Sequence, residues 1–142
     1  MVNFAYLDKG LCGLARAPQA NSMAGHLGAA VVAGYFFGED QPDLDAGVFA
    51  AIERDLERII RGEESLWYNA KKAGITVTGL FAPLPDEPPQ KDATQGIVRA
   101  LAANIGQTRQ SGHNVIFASL AVRALHDHPD FATPSIVGGF GS

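Results

Sequence analysis

The chain has 142 residues, of which 46% are hydrophobic and 18% are charged, and its formal net charge at pH 7 is −4. A chain of this length and composition can bury a sizeable core and is unlike a disordered chain. The acidic balance and the lack of any long lysine or arginine run exclude an electrostatic footprint for nucleic acid. We therefore expect one folded domain, residues 1–142, and no nucleic-acid partner.

The cysteine content and the length of the apolar stretches indicate the cellular compartment in which the protein is expected. A single cysteine, Cys12, cannot form an internal disulfide, which is typical of proteins in reducing compartments. The apolar stretch 27–37 is much shorter than the roughly 20 residues that span a bilayer. The N-terminus lacks the basic start and apolar run of a signal peptide. We predict a cytoplasmic protein without membrane association, in which Cys12 is a core residue.

Two helices are predicted in the first part of the chain. Apolar residues at helical spacing indicate a helix over 3–16, which Pro18 should end. Asn21 or Ser22 can cap a second helix, whose residues 23–37 are apolar on nearly all sides. Because a helix without a polar face is usually buried on every side, we expect this second helix to be central.

The sequence Asp-Gln-Pro-Asp at 40–43 predicts the start of a third helix. Asp40 can accept hydrogen bonds from the first turn, and Pro42 loses no hydrogen bond there. Charged residues follow on one face, and Gly62 is the expected C-terminal stop. The apolar stripe of this helix consists of Leu44, Val48, Ile52, Leu56, Ile59 and Ile60. This pattern predicts an outer helix with one face in water.

Residues 63–90 are predicted to form a long, ordered, irregular connection. A short helix over 66–72 should end at Gly74, and residues 75–78 are expected to be extended. The prolines between 83 and 89 exclude a continuous helix. A fourth helix is then predicted over 91–107.

The most informative feature of the chain is an internal repeat. Gly25-His26 and the later Asp-Gln-Pro-Asp motif recur without gaps as Gly112-His113 and Asp127-His128-Pro129-Asp130. The repeat predicts two related helical units, 22–62 and 109–142, each with an apolar inner helix. The apolar helix of the second unit is predicted from Gly112 to His126.

The second unit has little room for a counterpart of the outer helix. One interpretation is that the helix starting at Asp127 is a stub, and the other is that the chain belongs to a longer helical array. A repeat unit buries its apolar face only against neighbours. We therefore predict self-association or binding to another helical segment.

Two histidines begin the apolar helices of the two units. If His26 and His113 face one cavity, they can act as general acid and base or as ligand contacts. Arg109 and Asn114 would complete a pocket for a small molecule or an anion at these helix N-terminal ends. The alternative is that each imidazole merely satisfies a backbone group at a helix start.

Trp67 and Tyr68 are further candidate ligand contacts, although such aromatic residues more often anchor a loop to the core. The segment His126-Asp127-His128-Pro129-Asp130 resembles the His-Asp pair of metal-dependent phosphohydrolases of the HD type. That family also needs an earlier histidine and a later aspartate on separate helices, and this chain has no matching later acid. The first copy of the repeat lacks both histidines. We therefore predict a helix cap here, with no metal and no other cofactor.

The pairing of an apolar inner helix that opens with Gly-His and an amphipathic outer helix resembles the hairpin units of α/α toroids, such as six-hairpin glycosidases and terpenoid cyclases. The resemblance covers 22–62 and 112–136 and includes no catalytic motif of either family. It implies an all-α fold of packed helical hairpins, whereas a complete toroid needs more helices. Two hypotheses remain: a helical module with a binding or catalytic pocket of unknown reaction, and a non-enzymatic scaffold or oligomerisation module.

Overall fold

The computed structural model describes residues 1–20, 24–63, 65, 68–85, 88 and 113–136. All regular secondary structure in these ranges is helical, which confirms the predicted all-α class. The helices are α1 (Ala5–Ala20), α2 (Gly25–Asp40), α3 (Ala46–Ile60), α4 (Ala70–Ala73), α5 (Val77–Leu80) and α6 (His113–Asp127), followed by a 3-10 turn at Pro129–Phe131. The predicted helix over 91–107 lies outside the described residues.

The core is built around the close crossing of α1 and α2. A Cβ atom placed on Gly28 would lie 2.6 Å from the backbone nitrogen of Leu14 and 3.0 Å from the carbonyl oxygen of Gly10. Leu11 on α1 and Val31 on α2 are fully buried. The two backbones therefore touch at Gly28, where any side chain would separate the helices.

Helix α3 packs on another side of α2 and confirms the predicted outer helix. The side chain of Leu56 packs directly against Gly34. A Cβ atom at Gly34 would lie only 2.7 Å from Leu56 Cδ2. Phe49, Leu56 and Ile60 are buried. The predicted stripe was wrong at Val48, which is 40% exposed because the neighbouring Phe49 turns into the core instead.

The end of α3 at Gly62 is confirmed. Gly62 has a left-handed φ of 83°. Its N–H donates to the carbonyl of Ile59, and the N–H of Glu63 donates to the carbonyl of Arg58, each at 3.0 Å. This pair of hydrogen bonds is the Schellman motif that closes many helices.

The predicted start of α3 was wrong. Asp40 is the last residue of α2, and α3 begins at Ala46 after its N-cap Asp45. Asp40 does not cap a helix because its carboxylate binds Arg123. Asp127 likewise is the last residue of α6. In both copies of the motif the aspartate thus ends the preceding apolar helix, while the repeat relationship itself stays a prediction.

Two further boundaries differ from the prediction. Helix α1 continues past Pro18 to Ala20, because Ala15 and Ala17 are buried in the core and hold this last turn in place. Residues 77–80 are helical and not extended, since the hydroxyl of Thr76 accepts a hydrogen bond from the N–H of Gly79 and caps α5. Local capping here outweighs the β propensity of the sequence.

The connection after α3 is ordered in the described parts and lies against α1. Gly74 ends the short helix α4 with a φ of 77°, as expected, although this helix begins later than predicted. The guanidinium of Arg16 donates to the carbonyl of Leu80 at 3.1 Å and to that of Pro83 at 3.2 Å, and also to the carbonyl of Ala82. Arg16 therefore fixes the end of α5 to α1.

Candidate functional site

The predicted pocket at the helix N-terminal ends is described only in part. His26 lies half-buried in the first turn of α2. His113 and Asn114 begin α6, where only their backbone is described, and Arg109 lies outside the described residues. The convergence of His26 and His113 on one cavity therefore stays a prediction.

Of the two aromatic candidates in the connection, Tyr68 is described and Trp67 is not. The hydroxyl of Tyr68 donates to the carbonyl of Ile75 at 2.7 Å. Burial raises the pKa of Tyr68. The half-buried ring and its internal hydrogen bond favour the anchor interpretation over contact with a ligand.

Cys12 is a core residue, as predicted. It is 2% exposed, and burial raises the pKa of its thiol. A protonated, buried thiol is a poor nucleophile. This geometry gives no support for covalent chemistry at Cys12.

The C-terminal ends of α2 and α6 meet in an aromatic cluster that the sequence did not predict. Phe4 is central to it: its ring centroid lies 4.8 Å from that of His128, 5.2 Å from that of Phe131 and 6.0 Å from that of Tyr35. The buried Tyr35 donates its hydroxyl to Glu39 at 3.0 Å. At these separations the rings pack against one another, so the cluster holds the two helix ends and the N-terminal segment together.

The histidines of the second motif copy have different surroundings. His128 packs among the aromatic rings. His126 is exposed, and its Nδ1 lies 3.3 Å from Asp127 Oδ1. Within the described ranges, no group of three or more His, Cys, Asp or Glu side chains is placed to hold a metal ion.

Arg123 joins the ends of α2 and α6. Its guanidinium binds Asp40 through two hydrogen bonds of 2.6 and 3.0 Å. It also lies over the ring of Phe36, 4.0 Å from the centroid, and its Nε is 3.7 Å from Asp127 Oδ2. No local sequence pattern predicts this contact, because Arg123 and Asp40 are 83 residues apart in the chain.

One side of α2 is exposed, so the prediction that this helix is buried on every side was wrong. Ala30, Ala33 and Phe37 follow one another at helical spacing and are all exposed, and Phe37 is 52% exposed. Among the helices that the structure describes, α1 covers α2 at Gly28, α3 covers it at Gly34 and α6 packs on it near Phe36, and Ala30, Ala33 and Phe37 stay exposed. We call Ala30, Ala33 and Phe37 the open face of α2.

The open face ends next to a concentration of negative charge. Four acidic residues between 39 and 45 are exposed, and they are Glu39, Asp40, Asp43 and Asp45. The first turn of α2, by contrast, contains no acidic residue. We call residues 39–45 the acidic turn.

Comparison of the chain with protein-family models, curated proteins and solved structures gave no match. The resemblance to α/α toroids therefore stays a prediction. Among the helices that the structure describes, none is long and apolar enough to cross a membrane.

The exposed side of α2 is a further candidate site in the described residues, while the predicted pocket at the N-terminal end of α2 stays a prediction. Sequence reasoning missed Phe37 because an apolar helix pattern does not reveal which side lacks a neighbour.

Proposed function

We propose that this protein is a helical assembly module that self-associates through the open face of α2. The observation that carries the proposal is the exposure of Ala30, Ala33 and Phe37 on a helix that has no polar face before its last turn. Contiguous apolar surface on a folded protein commonly marks a contact site for another protein.

Other exposed apolar groups lie near the same end of α2. Met1 is 73% exposed and Phe4 is 43% exposed. Their segment is held at this end, because Val2 packs against Gly38 and Phe4 packs against Tyr35. Of the four exposed large hydrophobic residues in the described part of the chain, Met1, Phe4 and Phe37 therefore lie near the C-terminal half of α2, and the fourth, Val48, lies on α3.

The charge balance is compatible with self-association. The net charge of −4 is modest, so the mutual repulsion of two copies is small at physiological ionic strength.

The competing hypothesis of a pocket would need His26, His113, Arg109 and Asn114 to converge, and of these only the His26 side chain is described.

The proposal is tested by the molar mass of the protein in solution. We expect size-exclusion chromatography with light scattering to show an oligomer whose fraction rises with micromolar concentration. Phe37→Gln should reduce this fraction strongly, because it replaces the largest apolar group of the open face.

Val48→Gln is the matched control, since Val48 is an exposed apolar residue on α3. This variant should associate like the unmodified protein. A monomer at all accessible concentrations would refute the assembly function. Equal weakening by both substitutions would refute the assignment to α2.

A further inference from the structure

The residues that follow α5 run along α1 and lie over Cys12. Residues 82–85, which we call the strap, have the sequence Ala-Pro-Leu-Pro and no regular secondary structure. The strap begins directly after Leu80 and Phe81, which are both buried. The ring of Phe81 packs on α1, because a Cβ atom at Gly13 would lie 2.7 Å from its Cε1. The strap therefore starts from a point that is fixed in the core.

Two side chains of α1, one helical turn apart, hold the strap. The guanidinium of Arg16 donates to the carbonyl of Pro83 at 3.2 Å and also to that of Ala82. Burial raises the pKa of the Cys12 thiol, and a hydrogen bond from the backbone of Leu84 opposes part of this rise. Because Cys12 and Arg16 are four residues apart, they lie on the same face of α1. This face of α1 therefore contacts the main chain of the strap.

The strap has few main-chain hydrogen bonds of its own. Pro83 and Pro85 have no N–H group, so they cannot donate, and both are exposed. The N–H of Ala82 donates to the carbonyl of Gly79 at 3.3 Å, which ties it to α5 and not to α1. In the described part of the chain, the hydrogen bonds that the strap carbonyls accept from α1 come from Arg16. A single side chain thus fixes most of the strap main chain.

We propose that the strap is a cover latched by Arg16, which opens and closes over Cys12 while the helices stay folded. A local opening costs less free energy than global unfolding when it breaks few apolar contacts. In the strap only Ala82 and Leu84 are partly buried. The proposal does not depend on self-association, because neither Arg16 nor the strap belongs to the open face of α2.

The closed and open states differ in the chemistry of the thiol. In the closed state the sulfur of Cys12 is buried and lies 3.9 Å from Asp8 Oδ1. A buried, protonated thiol reacts slowly. In the open state water reaches the sulfur, so the thiolate forms more readily and small reagents can contact it. The strap therefore controls access to the single thiol of the chain.

The opening can be measured with dithionitrobenzoate, because the chain contains a single cysteine and each labelled thiol releases one coloured product. We expect the folded protein to be labelled slowly, at a rate that does not change at low urea concentrations. A local opening exposes little new surface and is insensitive to urea, whereas global unfolding becomes steeply more favourable as urea is added. Circular dichroism of the same samples measures global unfolding.

Arg16→Lys tests the latch. Lysine keeps the positive charge, but its ammonium cannot reproduce the fork of donors with which the guanidinium binds several carbonyls. We expect labelling about tenfold faster, the effect of losing one hydrogen bond to a charged group, still without dependence on urea. Arg54→Lys is the matched control, since Arg54 is an exposed arginine on α3. The control should be labelled like the unmodified chain.

A second variant loosens the strap without changing Arg16. Leu84 is partly buried against the core, and Leu84→Ala removes this apolar contact while keeping the backbone N–H. It should also speed the labelling of Cys12 without making the rate depend on urea. This variant decides the question if Arg16→Lys does not fold.

Three results would overturn the proposal. Labelling of the unmodified protein only along the urea unfolding transition would mean that Cys12 is reached when the helices unfold and not before. Equal labelling rates of Arg16→Lys and Arg54→Lys would mean that Arg16 does not hold the strap. An unchanged rate in Leu84→Ala would mean that the strap does not cover the thiol.

Discussion

The guanidinium of Arg123 binds both carboxylate oxygens of Asp40, at 2.6 and 3.0 Å, although the two residues belong to different predicted units. The same group lies over the ring of Phe36. Because Asp40 ends α2 and Asp127, also near Arg123, ends α6, one side chain connects the ends of both apolar helices. The aromatic cluster around Phe4 lies at the same helix ends and adds apolar contacts to this connection.

This ion pair predicts a specific pH dependence of stability. The hydrogen bonds from Arg123 hold the pKa of Asp40 below its ordinary value. A carboxyl group whose pKa is lower in the folded state stabilises the fold above its unfolded pKa of about 4, and this contribution is lost as the pH falls through the folded pKa. We expect Asp40→Asn to lower the melting temperature slightly at neutral pH, with a difference that shrinks below about pH 4.

The effect should be small and sensitive to salt, because both side chains are exposed and their attraction is screened. Asp43→Asn is the control, since Asp43 is an exposed carboxylate in the same turn. It should produce a smaller difference at neutral pH. If the two variants show identical melting curves from neutral pH to about pH 3, the contact between Arg123 and Asp40 does not stabilise the fold.

The crossing of α1 and α2 predicts opposite effects of the same substitution at two glycines. A Cβ atom at Gly28 would lie 2.6 Å from a backbone atom of α1, whereas one at Gly47 on α3 would meet nothing within 4 Å. Backbone cannot move aside as a flexible side chain can, so we expect Gly28→Ala to destabilise the fold by about 3 kcal/mol.

Gly47→Ala should instead raise stability by about 0.5 kcal/mol, because alanine has the better helix propensity and loses less backbone entropy on folding. Urea denaturation of both variants measures the difference. A Gly28→Ala variant as stable as the unmodified chain would show that the helices are not in backbone contact.

The features predicted correctly from the sequence are those with local causes. The amphipathic pattern of α3 and its glycine stop at Gly62 depend on residues within the helix itself, and both are confirmed. The apolar character of α2 was equally visible. The exposed side of α2 could not be predicted from the sequence, because the exposure of Phe37 depends on where the neighbouring helices lie in space.

The two wrong helix assignments have different physical origins, one distant in the chain and one local. The sequence around Asp40 favours a helix start, but Asp40 ends α2, where its carboxylate binds Arg123, a residue distant in the chain. At Thr76 a single hydroxyl cap converts a β-prone segment into a turn of helix. The predicted ligand pocket is not one of these errors and stays a prediction, because it depends on bringing His26 and His113 together, which no local pattern determines.

The two glycines with positive φ offer a graded test of turn geometry. Gly62 has a φ of 83° and Gly74 a φ of 77°, so alanine at either position is strained. This strain costs about 1–2 kcal/mol. At Gly62 a Cβ atom would also lie 3.2 Å from Cβ of Val77, while at Gly74 it would meet nothing within 4 Å.

We therefore expect Gly62→Ala to destabilise the protein more than Gly74→Ala, by about 1 kcal/mol beyond the shared strain. Chemical denaturation of the two variants gives the comparison. The reverse order would indicate that α4 contributes more to stability than the end of α3 does.

The tyrosines predict how the protein loses stability in alkali. Burial, and then a hydrogen bond to Glu57, raises the pKa of Tyr6 to about 12. Burial, and then a hydrogen bond to Glu39, raises the pKa of Tyr35 to about 12. Because the pKa of each tyrosine is raised in the folded state, the protonated side chain stabilises the fold. This stabilisation is complete below the unfolded pKa of about 10 and is lost as the pH rises through the folded pKa.

We expect spectrophotometric titration to show phenolate formation together with unfolding between about pH 10 and 12. Glu57→Gln removes the negative charge beside Tyr6 and should lower the pKa of that residue alone, while Glu39→Gln should affect Tyr35 alone. Since burial is the largest cause at both sites, neither substitution should restore the ordinary value of about 10. A complete return to that value in Glu57→Gln would mean that charge outweighs burial at Tyr6, and that water reaches its hydroxyl in the folded protein.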